Sequence, residues 1–591
     1  MRLRDVLICS VCVILAVALF IIVGKQLDFI NSQRYQMKLI SNEPLENAPP
    51  SLAFATVAMG AFRGLVVDVL WLRADELKEQ GQFFDAKQIA EWITALQPRF
   101  AAVWEFQAWN MAYNISVAIP ASQPQERWRW VKNGYELLRD KGIPLNPRSI
   151  LLYREMARIF QHKIGGLNDD VHKYYKVQLA MAMEPLLNSA DNGYFKALAE
   201  APTQWGQIVK DTNVTPLISA LKSADKAFDK DDEFVSSYLS LRQNPARFSR
   251  TAFETIDRFR SSGALKTFDI FAKAWQFRKV WKLDPVLMEK LNKLYGPVDW
   301  NDPNTHLPLD WRHADAHAIY WAVKGLQVAG KKEFSIDEIN TDRIVNHSLQ
   351  NLFRSGKMFF WDVPAKTQSD TSSQSPQTFT KDVFLRPDLR MFQSYNQSMM
   401  AIIDKYRGIE KDTSFESLQI SHRNMLANAL FSFYQAGHLA QAEKIYSQLR
   451  QLYPADDYKV PLVVFVRKRL REELSSLEIT NAKEIIQMML SESYFRYAMR
   501  DDDEAFGLEK MAKEVYDHYM SPRKDEHRID LPDFKLFRYL ALLDFLNDQQ
   551  YPFELRLGLR GRIKIERPDV ANQLEQEEEK MLQQQQTVQP K

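Results

Sequence analysis

Cysteine is nearly missing from this chain: of 591 residues, only Cys9 and Cys12 are cysteines. A disulfide-stapled scaffold, a cysteine-based zinc site and a thiol enzyme in the folded body are excluded on that count. Glycine is scarce as well, at 20 residues, which disfavours an all-β or doubly wound fold with many tight turns. Neither sign of charge is in surplus, with 77 Lys+Arg against 75 Asp+Glu and a formal net charge of +2. A dedicated nucleic-acid binder would show a basic bias, so no nucleic-acid partner is expected. The sequence also has no GxxxxGK[ST] or GxGxxG phosphate loop and no GxSxG nucleophile elbow, and no cofactor is expected. Apolar residues, at 46%, are plentiful enough for a sizeable core.

One long uncharged run stands at the start. Val6 to Gly24 reads VLICSVCVILAVALFIIVG, and at about 1.5 Å per residue it matches the roughly 30 Å hydrocarbon layer. Ala16-Val17-Ala18 would suit cleavage, but Leu19 to Val23 prolong the run beyond an ordinary signal peptide. Arg2 and Arg4 precede it, which favours a cytoplasmic N-terminus. The expectation is a single-pass membrane protein that contacts the bilayer through residues 6–24, its body extracytoplasmic (periplasmic or equivalent). A second run, Leu52 to Leu72, is broken by Arg63 and Asp68. Phe62, Leu65, Val66 and Val69 follow one-face helical spacing, so this run is expected as a buried helix.

Helical periodicity dominates the rest. The expected organisation is an anchor (1–24), a proline-containing linker (25–51), a helical-hairpin domain (52–290), an irregular connector (291–361), a mobile Ser/Thr/Gln-rich loop (362–381) and a second helical domain (382–550). A possible β-hairpin follows at 551–571, where Leu555, Leu557 and Leu559, then Ile563 and Ile565, alternate, and a polar tail ends the chain (572–591).

Two segments share a pattern. Gly81, Phe83, Ala86, Ala90 and Pro98 recur with the same spacing as Gly437, Leu439, Ala442, Tyr446 and Pro454, and a looser copy at Ser493 to Tyr519 carries Ala505 and Ala512. A small residue lets two helices approach, glycine permits the turn between them, and proline ends the second helix. These segments resemble the tetratricopeptide repeat, a helix–turn–helix of about 34 residues. Pro98 and Pro147 lie 49 positions apart, so the spacing departs from the family between them. The resemblance implies an all-α fold of irregular helical hairpins of the α-solenoid type, to which the alternating segment adds at most a small C-terminal β-hairpin. It also implies a tendency to bind proteins rather than a reaction.

Candidate chemistry is sparse. Gln107, Asn110 and Asn114 fall at i, i+3 and i+7 on one helical face, and Arg127 and Arg129 flank Trp128. Such amides can hold a peptide backbone and such guanidinium groups a carboxylate. These five are the expected binding residues for a protein or peptide partner, competing with a plain role in satisfying loop carbonyls. His162, Asp169, Asp170 and His172 surround a turn where helix capping accounts for them. His306, His313 and His317 sit among Asp302, Asp310 and Asp315. Four-residue spacing would let His313 and His317 share a metal, but Ala314 stands where the usual catalytic signature has a glutamate. The functional expectation is a membrane-anchored scaffold or adaptor on the non-cytoplasmic side, with a metal-dependent cell-envelope enzyme using residues 302–317 as the alternative.

Overall fold

The computed structural model describes residues 32–33, 63–187, 191–329, 336–364, 379–407, 414–474, 479–520 and 531–588. Helices hold 77% of them and strands 5%, so the all-α expectation is met. The chain divides into two compact units, Met1–Leu352 and Phe353–Lys591. Residues 291–352, expected as a connector, belong to the first unit.

The first unit opens with the helix pair Arg63–Glu79 and Phe83–Leu96. Val67, Ala74 and Leu77 pack on Ala86, Ala90 and Ile93. The buried face of Arg63–Glu79 is therefore not the one expected: Leu65 and Val69 are 63% and 60% exposed, and Phe62 lies outside the described residues. A second core cluster gathers residues 208–272, where Phe228, Phe234, Phe268 and Phe271 are fully buried. A two-stranded antiparallel ribbon, Val298–Asp299 with Asp302–His306, precedes the helix Ala314–Ala329.

The second unit begins with strand rather than loop. Lys357–Pro364 pairs antiparallel with Phe379–Arg386, so residues 362–364 and 379–381 of the expected mobile loop are paired backbone; 365–378 lie outside the described residues. Aromatic side chains fasten this ribbon. Trp361 stacks on Phe384 at 4.2 Å and donates its ring N–H to the Gln550 carbonyl at 2.8 Å. Antiparallel helices follow: Ser414–Gln435 with Leu439–Leu452, Ile479–Ala498 with Asp502–Met520, then Phe534–Asn547, Phe553–Glu566 and Pro568–Val588. The expected β-hairpin at 551–571 is thus two helices. Leu559 and Ile563, four apart, are the buried pair, while Leu557 and Ile565 point to solvent. Alternation in the sequence was outweighed by this one-turn spacing.

Three hairpin turns share one geometry. Gly81, Gly437 and Arg500 have φ of 76°, 80° and 64°. Each is flanked by a 6→1 hydrogen bond, from the amides of Gln82, His438 and Asp501 to the carbonyls of Leu77, Phe433 and Arg496, at 2.8, 2.9 and 3.0 Å. This is the left-handed helix cap that satisfies orphan carbonyls. Five residues after each turn comes an alanine, Ala86, Ala442 or Ala505, and twelve after it a buried Ile93, Leu449 or Ala512. The helices Phe83–Leu96 and Leu439–Leu452 have equal length, 14 residues.

The expected single-pass placement is corrected. Among the described residues no helix is long and apolar enough to cross a membrane. The run 6–24 and, apart from residues 32–33, the linker 25–51 lie outside the described residues.

Candidate functional site

Among the described residues, four helices of the first unit run into π-turns: Asn110–Ile115, Leu138–Gly142, Ile159–Ile164 and Phe277–Trp281. A π-turn inserts one residue into the ladder and often marks a specialised region. The first three surround the stretch to which the sequence assigned binding. Gln107 and Asn110 are buried, and Asn110 donates to the Phe83 carbonyl at 2.9 Å while accepting from Asn114 at 2.9 Å. Arg127 is buried and gives its Nε–H to the Ile119 carbonyl at 2.7 Å. Arg129 is exposed, beside Glu126 at 3.6 Å. Four of the five residues are thus committed to internal packing or bonding, and they do not converge on a shared opening.

Arg127 belongs to a buried ion cluster. Its guanidinium lies 3.2 Å from Asp169, whose other oxygen accepts from Lys163 at 2.5 Å and from the Tyr175 hydroxyl at 3.3 Å. Burial works against the charged Asp169 carboxylate. The Lys163 and Val171 hydrogen bonds and the charges of Lys163 and Arg127 outweigh it and hold its pKa low. The Lys163 ammonium also faces the rings of Tyr113 and Tyr175. His162 and His172, flagged with Asp169 in the sequence, turn to Asn168 and Lys176.

The histidines of 302–317 go separate ways. His306 bonds the Gly296 carbonyl at 2.8 Å. His317 is fully buried, stacks on Phe160 at 4.9 Å and donates to the Trp311 carbonyl at 2.9 Å. Burial lowers its pKa to about 4, so it is neutral. His313 accepts the Asp315 amide at 3.2 Å. Asp310 clamps Arg312 at 2.9 and 2.8 Å. Among the described residues no three His, Cys, Asp or Glu side chains are placed to hold a metal.

Glu155 and Lys176 carried no signal in the sequence, and Asp315 stood there only as a neighbour of the histidines; all three are buried. Burial pushes Asp315 and Glu155 up to about 7 and Lys176 down to about 8. Asp315 accepts from Asn351 at 3.1 Å, and Lys176 donates to the Gly166 carbonyl at 2.7 Å.

An open feature lies in the second unit. A groove of about 310 Å³ runs between the helices Phe534–Asn547, Phe553–Glu566 and Pro568–Val588. Leu542, Leu543, Leu546, Phe553, Leu557 and Ile563 supply its apolar lining. Arg556, Arg560 and Lys564, one turn apart, form a basic row, and Glu575 and Glu578 stand on the third helix. Arg556 is tied to the Leu546 and Tyr551 carbonyls at 2.8 and 3.1 Å. Arg560, Lys564, Glu575 and Glu578 are exposed and make no ion pair among the described residues. The opposite side of Phe553–Glu566 is fastened: Arg562 grips Asp502 at 2.8 and 2.7 Å, and Arg567 grips Glu509 at 2.8 and 3.3 Å. The four-residue spacing of Arg556, Arg560 and Lys564 places them on one side of this helix.

No protein-family model matches the chain, and no curated protein matches it.

Proposed function

We propose that the chain is a helical-repeat scaffold or adaptor that binds protein partners. The repeated hairpin turns at Gly81, Gly437 and Arg500, each followed by a buried alanine, support a tetratricopeptide-like construction of irregular stacked hairpins. Such stacks present long surfaces to other chains. The observation that carries the functional reading is a contrast. The polar residues that looked chemical are spent inside the first unit, whereas the second unit keeps an apolar groove open between three helices with charges at its rim. Grooves of that kind accept helices or peptides. The metal-enzyme alternative draws no support from 302–317, because His306, His313 and His317 each bond backbone at separate points.

The test is affinity capture of the full chain from its native cell extract after brief crosslinking. Recovery of a protein in stoichiometric amount, crosslinked to this chain, supports the proposal. Recovery of none sinks it.

A further inference from the structure

We propose that the groove of the second unit receives an amphipathic helix of a partner protein, one that carries acidic residues along one flank of its apolar stripe. This rests on the scaffold reading and specifies the partner's chemistry. The shape argues for a helix. The wall Phe553–Glu566 has 14 residues, or roughly 21 Å, which matches about four turns of an incoming helix. Two large side chains of the apolar lining are open to solvent at the mouth of the groove, Phe553 at 63% and Leu557 at 57%, above the buried Leu542 and Ile563. Large exposed apolar residues gathered in one groove mark a binding surface, whereas scattered ones do not.

The charges fix which helix fits. Arg560 and Lys564 stand one turn apart along the wall, exposed and without an ion pair among the described residues. Their neighbour Arg562 shows what this helix does with a basic residue it needs for its own fold, sinking it into Asp502 and Glu566. Glutamates of an incoming helix would meet Arg560 and Lys564 on one flank. Glu575 and Glu578 would repel acid on the other flank and so set the direction in which the helix lies.

The experiment uses the full chain and two fluorescein-labelled, side-chain-stapled 18-residue helices that share one leucine stripe. One carries glutamates along its flank and the other lysines. Anisotropy at low salt should show the glutamate helix binding at least tenfold more tightly than the lysine helix. Leu557→Asp should weaken the glutamate helix at least tenfold. The double variant Arg560→Glu/Lys564→Glu should reverse the preference, which a misfolded protein cannot do. Equal binding of the two helices, no binding of either, or indifference to Leu557→Asp overturns the proposal. So does a groove that Leu557→Asp shows to be filled by a second copy of the chain, measured as loss of a dimer by light scattering. Binding of phosphatidylserine vesicles that the glutamate helix cannot displace overturns it likewise. If the peptides fail while affinity capture still recovers a partner on the Leu557→Asp chain, the groove assignment falls and the scaffold reading stands.

Discussion

Gly507→Ala in the helix Asp502–Met520 should destabilise the second unit, against the usual preference of helices for alanine. A Cβ built there falls well inside contact distance of the Ala436 carbonyl carbon and the Gln435 oxygen, and 2.7 Å from the Gly437 nitrogen. All three are backbone atoms of the turn between Ser414–Gln435 and Leu439–Leu452, and that turn is held by its own hydrogen bonds. No flexible side chain can yield, so the turn or the helix must shift. Such overpacking costs about 1–3 kcal/mol. Alanine returns about 0.5–1 kcal/mol of helix propensity. The net loss is therefore about 1–2 kcal/mol, and at roughly 2–4 °C per kcal/mol for a domain of this size the melting temperature falls by several degrees. Gly558 supplies the control. It lies inside the helix Phe553–Glu566 with nothing within 4 Å of a built Cβ, so the same substitution there should stabilise by about 0.5–1 kcal/mol. Circular-dichroism melts of the two variants beside the parent decide the matter. Two shifts of the same sign and size would refute the close-approach argument.

Further outcomes follow from the same geometry. Arg500→Gly should stabilise by up to about 1 kcal/mol in urea unfolding, because a side chain in the left-handed region costs more than glycine's extra freedom; a loss of stability would show that the Arg500 side chain earns its strained backbone. Asp169→Asn should cost about 3–5 kcal/mol, since it strands the buried charges of Arg127 and Lys163, and a loss below 1 kcal/mol would mean the cluster is not desolvated. Asp315 has a folded pKa of about 7, above its ordinary value of 3.8. Its contribution is therefore complete below about pH 4 and declines as pH rises towards 7. Asp315→Asn should gain on the parent by about 1 kcal/mol or more between pH 4.5 and 7, and a difference that ignores pH would contradict the burial of that carboxyl. Lys176, lowered to about 8, titrates above this window.

The hairpin turns were readable wherever glycine made them so. Gly81 and Gly437 announced a left-handed position that only glycine fills cheaply, and the alanines five residues on marked close helix contact. At Arg500 the same turn carries a side chain that gives no such signal, so that copy looked looser than it is. The ribbon Lys357–Pro364 with Phe379–Arg386 went unseen because Met358, Phe359, Phe360 and Trp361 run consecutively without alternating, and because its second strand adjoins a Ser/Thr/Gln-rich stretch. Conversely Leu555 to Ile565 alternates and is a helix, stabilised by Leu559, Ile563 and the Arg562 and Arg567 ion pairs to the helix Asp502–Met520. Those partners are about 60 residues away in sequence, beyond any local pattern. For the same reason the amides of 107–114 read equally as grip or as glue: the carbonyl of Phe83, which Asn110 holds, is 27 residues distant.

The π-turns bear on how this chain tolerates change in length. Each carries one residue more than the α-helical ladder needs, and each residue advances a helix by about 100°. Removing a single residue from Ile159–Ile164 would let the ladder close in the ordinary way and rotate that end of the helix by about this angle. Phe160 would then leave His317 and Lys163 would leave Asp169, although no contact residue had been altered. The number of residues within Ile159–Ile164 is thus fixed by partners that lie elsewhere in the first unit, at His317 and Asp169.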